Sequence, residues 1–335
     1  MKQLLKLSAA SLLVVGALSV QASTLGDVQA KGYVSCGVSK GLAGFSSADS
    51  SGTWTGVDVD VCRAVAAATL GDAQKVKFVP LTAKERFTAL QSGEIDMLSR
   101  NTTWTITRDA SLGLNFAGVN YYDGQGFMVK SSLGVSSAME LSGAAVCIQA
   151  GTTTELNLAD WGKANGIEYN SVVSDTNAQT LTNYDAGRCD VLTTDASGLY
   201  SMRAAANDPS EHVVLPEIIS KEPLGPVVRQ GDDQWFNIVR WSLNAMITAE
   251  ELGVTSATVD EVTNNPERER LMGRSGSTHE YVGLTPDWTY QIVKQVGNYS
   301  ESFERNIGIN TPIGIARGVN ALWTDGGILY SPPFR

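Results

Sequence analysis

Residues 93–109 read GEIDMLSRNTTWTITRD, and the rest of the chain can be placed around them. The glycine ends a predicted helix that starts at Thr82 with a capping box to Glu85. Residues 95–98 are too few and too apolar for anything but a buried strand. After this strand the composition changes to hydroxyl groups, an amide and one arginine, Arg108. The stretch therefore predicts a helix, a buried strand and a polar loop.

A polar loop at the carboxyl end of a buried strand is where an α/β sheet places a ligand. Arg108 suits a carboxylate there, because its fork donates two parallel hydrogen bonds that fix the position and the plane of the group. The alternative is a surface loop in which Arg108 pairs with Asp109, since exposed ion pairs are common and weak. The stretch alone supports both interpretations equally.

The first 22 residues are predicted to form a cleaved export signal. Lys2 and Lys6 supply the positive start, residues 7–20 are apolar but too few to span a bilayer, and Ala22 ends a small-x-small cleavage pattern. Without the two lysines the formal net charge of −10 becomes −12. We therefore expect a soluble protein outside the cytoplasm, with neither nucleic acid nor an anionic membrane as a partner.

The remaining residues are too many for one hydrophobic core and favour two lobes. Strands alternate with helices throughout, which predicts the α/β class with largely parallel sheets. Residues 121–126, with glycines between apolar strands, and residues 223–228 predict two crossings between the lobes, because hinges absorb changes in φ and ψ. The predicted limits are 23–127 plus 223–335 for lobe 1, with a C-terminal extension from about residue 274, and 128–222 for lobe 2.

Part of the central stretch has a counterpart downstream. Residues 93–98, GEIDML, are matched by residues 187–192, GRCDVL, and a helical pattern precedes each. Counting eight residues on from each glycine gives Asn101 in the first copy and Asp195 in the second. If the copies are equivalent elements of two lobes, these two polar residues lie at the same sheet edge, one in each lobe.

Four cysteines in an exported chain permit disulfides. Cys36 is on a predicted first-lobe strand and Cys62 on the helix after it, at 57–70, while Cys147 and Cys189 fall in the second lobe. We expect the pairs Cys36–Cys62 and Cys147–Cys189, one in each lobe, and the other pairings stay open. The lack of Cys-x-x-Cys spacing and the presence of only two histidines argue against a metal site and a catalytic thiol.

The second lobe contains a helix start with anion-binding character. After a predicted strand at 144–149 come Thr152, Thr153 and Glu155, which predict a capping box. Free N–H groups and threonine hydroxyls at such a helix start form a small anion site, and the commoner alternative is a helix cap alone.

Two regions beyond the second crossing are predicted to pack on the first lobe. Residues 232–251 form an amphipathic helix whose Trp235 and Trp241 we expect in the core. The tail from residue 274 carries a helix led by Pro286 and another at 313–323.

The export signal, the two α/β lobes with paired crossings and residues 96–108 together resemble the periplasmic polar amino-acid binding proteins of ABC importers. Within them, the chain is most similar to the general L-amino-acid binding subfamily, and the string at 101–108 is specific to that subfamily. The long tail fits the subfamily as well. The supporting stretches are GVDVD at 56–60, ALQSGEID at 89–96, SRNTTWTITR at 99–108, YYDGQGFMV at 121–129 and GTT at 151–153.

The resemblance implies a type II periplasmic-binding-protein fold with a ligand site between the lobes. Arg108 falls on the arginine that grips the α-carboxylate of the ligand, with Asn101 and Thr103 on the donors beside it. Thr153 falls on the second-lobe threonine that touches the same carboxylate. Asp195 falls on the carboxylate that receives the α-ammonium.

Four other positions bear on the ligand's side chain. Leu42 and Phe45 fall on its wall, and many relatives have a stacking aromatic where this chain has Leu42, which favours loose specificity. Trp104 replaces a smaller aliphatic residue and is expected to be buried. Arg100 is placed to reach an acidic or amide side chain, and a solvated charge is an equal alternative.

The resemblance thus implies a periplasmic protein that binds L-amino acids, including acidic and amide ones, and delivers them to the permease subunits of an ABC importer. We expect a monomer without a cofactor that closes on its ligand, because only a closed site pairs both charges of a zwitterion. One alternative is a dehydratase-like enzyme of the same fold that acts on a cyclic carboxylate through Glu155 or Asp195. A ligand-sensing ectodomain is another, for which the chain offers no fused domain.

Overall fold

Strands and helices alternate along residues 23–335, the part of the chain that the computed structural model describes. The predicted export signal, residues 1–22, lies outside the described residues. Between residues 23 and 335, no helix combines the length and the apolar character that a bilayer crossing requires.

The elements are numbered in chain order. The strands are β1 Val34–Ser39, β2 Ser47–Ala48, β3 Trp54–Thr55, β4 Val76–Leu81, β5 Met97–Leu98, β6 Leu114–Phe116, β7 Tyr121–Asp123, β8 Gln125–Lys130, β9 Ala145–Gln149, β10 Asn170–Ser174, β11 Val191–Asp195, β12 His212–Val214, β13 Glu222–Leu224 and β14 Val227–Arg229. The helices are α1 Thr24–Lys31, α2 Val57–Leu70, α3 Arg86–Gln91, α4 Thr153–Asn165, α5 Asn177–Asp185, α6 Ala196–Ala205, α7 Asp233–Glu251, α8 Pro266–Leu271, α9 Thr278–Val282, α10 Trp288–Val296 and α11 Tyr299–Asn306.

Two five-stranded sheets form the centres of the two lobes. The first has the order β4-β1-β5-β14-β6 and the second the order β10-β9-β11-β8-β12. Strands β1, β4 and β5 run parallel, as do β9, β10 and β11. The crossing strands β14 and β8 run antiparallel to their neighbours, so each sheet is mixed rather than largely parallel. The prediction of largely parallel sheets is wrong at the two strands that cross between the lobes.

One disulfide lies in each lobe. The structure joins Cys36 to Cys62, which ties β1 to α2, and Cys147 to Cys189, which ties β9 to the loop before β11. Each bridge fastens the first strand of a βαβ unit to a later element of the same lobe. A disulfide of this kind stabilises a fold by restricting the unfolded chain.

A two-stranded ribbon joins the lobes. Strands β7 and β13 pair antiparallel, with Tyr121 opposite Leu224 and Asp123 opposite Glu222. Strand β8 then continues into the second sheet and β14 into the first. The ribbon lies where the two crossings are predicted, and the residue limits of the lobes stay a prediction.

The capping box before α3 forms, but the helix begins later than predicted. Glu85 accepts from N of Thr82 at 2.9 Å, and Thr82 Oγ1 accepts from N of Glu85 at 3.2 Å. These contacts close a turn, and α3 itself starts at Arg86. At the start of α4 the expected box does not form, because Thr152 Oγ1 donates to O of Gln149 at 2.7 Å and caps no helical N–H, while Glu155 accepts from N of Gly151 at 2.7 Å.

Trp104 is 38 % exposed, so the expectation that it is buried is wrong. Its ring stacks on Phe116, with centroids 5.5 Å apart and planes at 3°. A tryptophan is large enough to pack one face on the core while the rest of the ring meets solvent.

The C-terminal extension packs on the first lobe, as predicted. Helix α10, led by Pro286, lies against α2, and Gln295 on it accepts from N of Ala73 at 2.8 Å. Helix α7 also contributes its predicted apolar face, with Trp235 fully buried and Trp241 packed against the core.

Two details of the tail differ from the prediction. Helix α11 has no counterpart among the predicted helices, although Asn298 and Glu301 form a capping box at its start. The helix predicted at 313–323 is replaced by two 3₁₀ turns, Gly318–Asn320 and Trp323–Asp325. Glycines at two positions of this segment lower its helix propensity.

Candidate functional site

The polar loop after β5 is held by a buried carboxylate, Asp58, in the first turn of α2. Oδ2 of Asp58 accepts from N of Asn101 at 2.6 Å, and Oδ1 accepts from Asn120 Nδ2 at 2.9 Å and Ser99 Oγ at 3.2 Å. Burial raises the pKa of Asp58, and these three donors oppose the shift. Asn101 has a φ of 33°, in the left-handed region that strains most side chains. Asp58 therefore stabilises the strained turn from which the loop enters the cleft.

Arg108 lies in a single π-helical turn, Thr107–Ser111, directed back at the loop. Nη1 donates to O of Thr103 at 2.9 Å, and the guanidinium lies 5.2 Å from the ring centroid of Phe87. Burial lowers the pKa of Arg108, and the nearby carboxylates of Glu222 and Asp195 oppose that shift. The residue is 8 % exposed, so the surface-loop alternative is wrong.

Two more arginines are buried beside it, Arg86 and Arg100, each 2 % exposed. Arg100 Nε donates to O of Leu81 at 3.0 Å, and burial lowers its pKa to about 10. Arg86 Nη1 lies 3.4 Å from Thr102 Oγ1, and burial followed by repulsion from the other two arginines lowers its pKa. The solvated alternative for Arg100 is therefore wrong. We call Arg86, Arg100 and Arg108 the arginine cluster.

Arg86 is absent from the predicted site, yet its position carries a signal. Arg86, Ala89 and Leu90 share the buried face of α3 at the spacing of one helical turn. An arginine on the apolar face of a short helix has to be paired, or it lines a site for an anion.

On the other side of the cleft, Thr153 begins α4 and contacts a buried glutamate. Thr153 Oγ1 donates to Glu222 Oε2 at 2.9 Å, and Glu222 Oε1 accepts from Asn157 Nδ2 at 2.6 Å and Ser220 Oγ at 2.7 Å. Glu222 is 2 % exposed and lies on the hinge strand β13. Neither it nor Asn157, one turn further along α4, is among the predicted site residues, because only the folded hinge brings Glu222 to this helix.

Asp195 ends β11 and precedes α6, but it does not cap that helix with its side chain. Asp123 from the hinge does so instead, accepting from N and Oγ of Ser197 and from N of Gly124. Burial raises the pKa of Asp195 well above its usual value, and the charges of Asp123 and Glu222 add to the shift. Burial also raises the pKa of Asp123 to about 6. We call Asp123, Asp195 and Glu222 the acidic cluster.

Leu42 and Phe45 are both buried in the main core of the first lobe. The ring of Phe45 packs edge-to-face on Tyr121, with centroids 5.5 Å apart. N of Leu42 donates to O of Ser46 at 2.9 Å. The structure thus places both residues in core packing, and their contact with a ligand stays a prediction.

The two lobes touch across the cleft. Thr103 Oγ1 lies 3.3 Å from Thr153 Oγ1, and Lys84 Nζ lies 2.8 Å from Asp175 Oδ1 on the opposite rim. A Cβ added to Gly151 would lie 2.9 Å from Cγ of Lys84, so glycine permits this close approach.

The predicted residues Asn101, Thr103, Arg108, Thr153 and Asp195 thus surround one interface between the lobes. The arginine cluster faces the acidic cluster there, and the charge of Asp195 opposes the lowering of the pKa of all three arginines. Opposed groups of this kind suit a small zwitterion that carries additional negative charge. Within residues 23–335 no cluster of three or more His, Cys, Asp and Glu side chains could hold a metal ion.

Comparison with known proteins places most of the chain in one family. Residues 34–258 match the bacterial extracellular solute-binding proteins, family 3. The chain is 61 % identical over 330 residues to the general L-amino acid-binding periplasmic protein AapJ of Rhizobium johnstonii, covering 97 % of each. It is 56 % identical to the glutamate/glutamine/aspartate/asparagine-binding protein BztA of Rhodobacter capsulatus, covering 96 % of each.

Among solved structures, a periplasmic binding protein of an ABC transporter from Brucella ovis, with glutathione bound, is 57 % identical. The match has a TM-score of 0.92 and covers 94 % of this chain and all of that one.

Proposed function

This chain belongs to the bacterial extracellular solute-binding proteins of family 3, and on that premise we propose that it captures L-amino acids in the periplasm for an ABC importer. The observation that carries the proposal is the opposition of Arg108 and Asp195 across the interface between the lobes. A zwitterion bound there would satisfy both charges at once. The proposal assigns no catalytic step to the site, and the permease subunits of the importer are the partners.

Five of the predicted residues have a role at the ligand's charged groups in this proposal. Arg108 binds the α-carboxylate with its free guanidinium nitrogens, assisted by the Thr103 hydroxyl and by the loop at Asn101. Thr153 binds the same carboxylate from the second lobe. Asp195 receives the α-ammonium, which its lack of a capping role leaves it free to do.

The ligand class follows from the remaining charges. Arg100 and Arg86 add two cations beside Arg108, more than one carboxylate requires, so we propose acidic amino acids and their amides as preferred ligands. The names of the relatives AapJ and BztA support a range of this kind. Glutathione is a second candidate, because it carries two carboxylates and one ammonium and is bound in the Brucella ovis structure.

Capture requires that the lobes move. The ribbon of β7 and β13 is the proposed hinge, with lobe 1 at 23–127 plus 223–335 and lobe 2 at 128–222. In an open form a ligand would reach only one of the two clusters. Closure is then favoured by the ligand, because the closed form pairs both of its ends.

The alternative of a dehydratase-like enzyme has less support. Glu155, one of its candidate acids, accepts from N of Gly151 at 2.7 Å and closes the turn before α4. The relatives at more than half identity are named as binding proteins.

A thermal-shift screen tests the function. The chain without residues 1–22 is unfolded, freed of ligand and refolded with its disulfides intact, then heated with each L-amino acid, with D-glutamate, with glutathione and with a prephenate-like cyclic acid. Binding to the native state raises Tm by mass action. We expect shifts with L-glutamate, L-aspartate and their amides, and none with D-glutamate. A shift with the cyclic acid alone would contradict the proposal.

A further inference from the structure

The C-terminal extension, residues 274–335, binds the backbone of the strand that enters the hinge. The hydroxyl of Tyr299 in α11 donates to O of Asn120 at 2.7 Å. Two residues along, Asn320 binds both backbone groups of Tyr122. Its Oδ1 accepts from N at 2.7 Å, and its Nδ2 donates to O at 3.0 Å.

Asn320 takes the place of a third strand in the hinge ribbon. Strand β7 pairs with β13 on one edge, where Tyr122 lies opposite Pro223, a residue with no N–H to donate. The donor and acceptor of Tyr122 are instead both satisfied by one side-chain amide, which is 3 % exposed. Such an amide presents one donor and one acceptor side by side, as a neighbouring strand would.

Asn320 is itself anchored to the first lobe through Arg317. Nε and Nη2 of Arg317 donate to O of Asn320 at 3.1 and 3.0 Å, and Nη2 also pairs with Glu250 of α7 at 2.8 Å. The guanidinium lies 5.2 Å from the ring centroid of Tyr299 and 5.0 Å from that of Phe303. The hinge strand is thus tied through the tail to the longest helix of the first lobe.

The same contacts continue to the ligand loop. Asn120, which accepts from Tyr299, donates through Nδ2 to Asp58, and Asp58 accepts from N of Asn101. One buried chain of hydrogen bonds therefore joins the extension, the entrance to the hinge and the loop at the cleft.

We propose that Tyr299, Arg317 and Asn320 form a hinge clasp, in which Asn320 is a positioning residue that fixes β7 to the first lobe. All three lie beyond residue 258, where the family match ends. With β7 fixed, rotation of the second lobe is confined to the residues after Tyr122 and to the return strand. Fewer open conformations then compete with the closed one, so closure loses less conformational entropy and the ligand binds more tightly.

The test compares the same change, asparagine to alanine, at two positions of the extension. Asn320→Ala removes the contact with the hinge strand. Asn306→Ala is the control, because Asn306 donates to Asp60 at 2.8 Å within the first lobe and does not touch the hinge. Three quantities are measured: hydrogen exchange of hinge peptides at 119–126, the radius of gyration of the ligand-free protein by X-ray scattering, and Kd for L-glutamate.

For Asn320→Ala we expect faster exchange at the hinge, a larger ligand-free radius of gyration and an increase in Kd of about two- to thirtyfold. Asn306→Ala should leave all three at the wild-type values even if its Tm falls. Asn320→Asp, which keeps the acceptor for N of Tyr122 but loses the donor, should give intermediate exchange.

Equal hinge exchange and equal scattering in the two alanine variants would overturn the clasp. Faster exchange in Asn320→Ala with unchanged radius and unchanged Kd would overturn its positioning role. The Kd measurement rests on the proposed function. If the wild-type protein binds no L-amino acid, that function fails, while exchange and scattering still decide whether the clasp exists.

Discussion

The arginine cluster of the first lobe and the acidic cluster of the second lobe and hinge each bring like charges together in a largely buried place, yet the two clusters are stabilised differently. The arginines donate to a few backbone carbonyls, such as O of Thr103 and O of Leu81. Asp123 and Glu222 accept from hydroxyl, amide and N–H donors. A carboxylate can also take up a proton, whereas an arginine stays charged at any working pH.

This difference assigns separate roles to the two sides of the cleft. The arginine cluster keeps its positive charge and therefore favours an anionic ligand under all conditions. The acidic cluster becomes less charged by protonation when no cation is bound. Affinity should depend most on the arginine side, and the dependence of affinity on pH should come from the acidic side.

Arg108→Ala should have the largest effect. We expect a loss of about 2–5 kcal/mol in binding free energy for L-glutamate, because the ligand's carboxylate is left desolvated without its partner. Titration calorimetry measures the change. Arg188→Ala, which removes an exposed arginine of the second lobe, is the control and should bind as the wild type does. Near-wild-type affinity of Arg108→Ala would contradict the assignment.

Asp195→Asn should weaken binding by about 2 kcal/mol and at the same time stabilise the ligand-free protein. The raised pKa of Asp195 means that the native state disfavours its charge, so a neutral amide removes an unfavourable burial. Calorimetry and ligand-free Tm are measured together, with Asp160→Asn on the exposed face of α4 as the control. An unchanged Kd would remove the ammonium role from Asp195.

Much of this arrangement follows from local patterns in the sequence. Helix α2 has its predicted limits, and Arg108 and Asp195 both lie at the cleft, because periodicity, glycine stops and a repeated strand are encoded within a few residues. Glu222 and Asp123 could not be found in this way. Each is polar, lies in a hinge segment and takes main partners from second-lobe helices that are distant in sequence, Thr153 for Glu222 and Ser197 for Asp123.

One of the errors has the same origin. The clasp residue Asn320 lies in a segment predicted as helix, and its partner Tyr122 is about two hundred positions away in sequence. Trp104 stands where the resemblance places a smaller aliphatic residue, which favours burial, although a large ring can pack on one face only.

Arg100→Met should change selectivity more than overall binding. We expect L-glutamate to lose about 1.5–3 kcal/mol, the value of a hydrogen bond to a charged group, and L-glutamine to lose less. Methionine retains much of the buried volume, so the fold should persist. L-glutamine measured on the same protein is the internal control. Equal losses for the two ligands would show that Arg100 does not contact the side-chain carboxylate.

Lowering the pH should weaken the affinity for L-glutamate and stabilise the ligand-free protein. The pKa of Asp123 is raised to about 6, so the native state favours the protonated form of this carboxyl group. The resulting stabilisation is fully present at a pH below the ordinary pKa of an aspartate and is lost as pH rises through about 6. An ammonium prefers ionised acids, so Kd should increase about three- to tenfold from about pH 8 to about pH 5. Asp123→Asn should reduce the pH dependence of Kd and the pH dependence of the stability of the ligand-free protein. Identical pH profiles in the variant and the wild type would show that a group other than Asp123 takes up the proton.

The smallest effect should come from the rim of the cleft, where Lys84 and Asp175 form an exposed ion pair between the lobes. Lys84→Ala should raise Kd for L-glutamate only slightly, because water and salt screen such a pair and its geometry costs side-chain entropy. The difference from the wild type should vanish in about 1 M salt, where the screening length is about 3 Å. Asp175→Ala and the double variant complete a cycle, and we expect the second substitution to add nothing to the first. If the two losses add, the residues act separately. Additive losses would mean that closure is held by the buried clusters and that the rim pair takes no part in it.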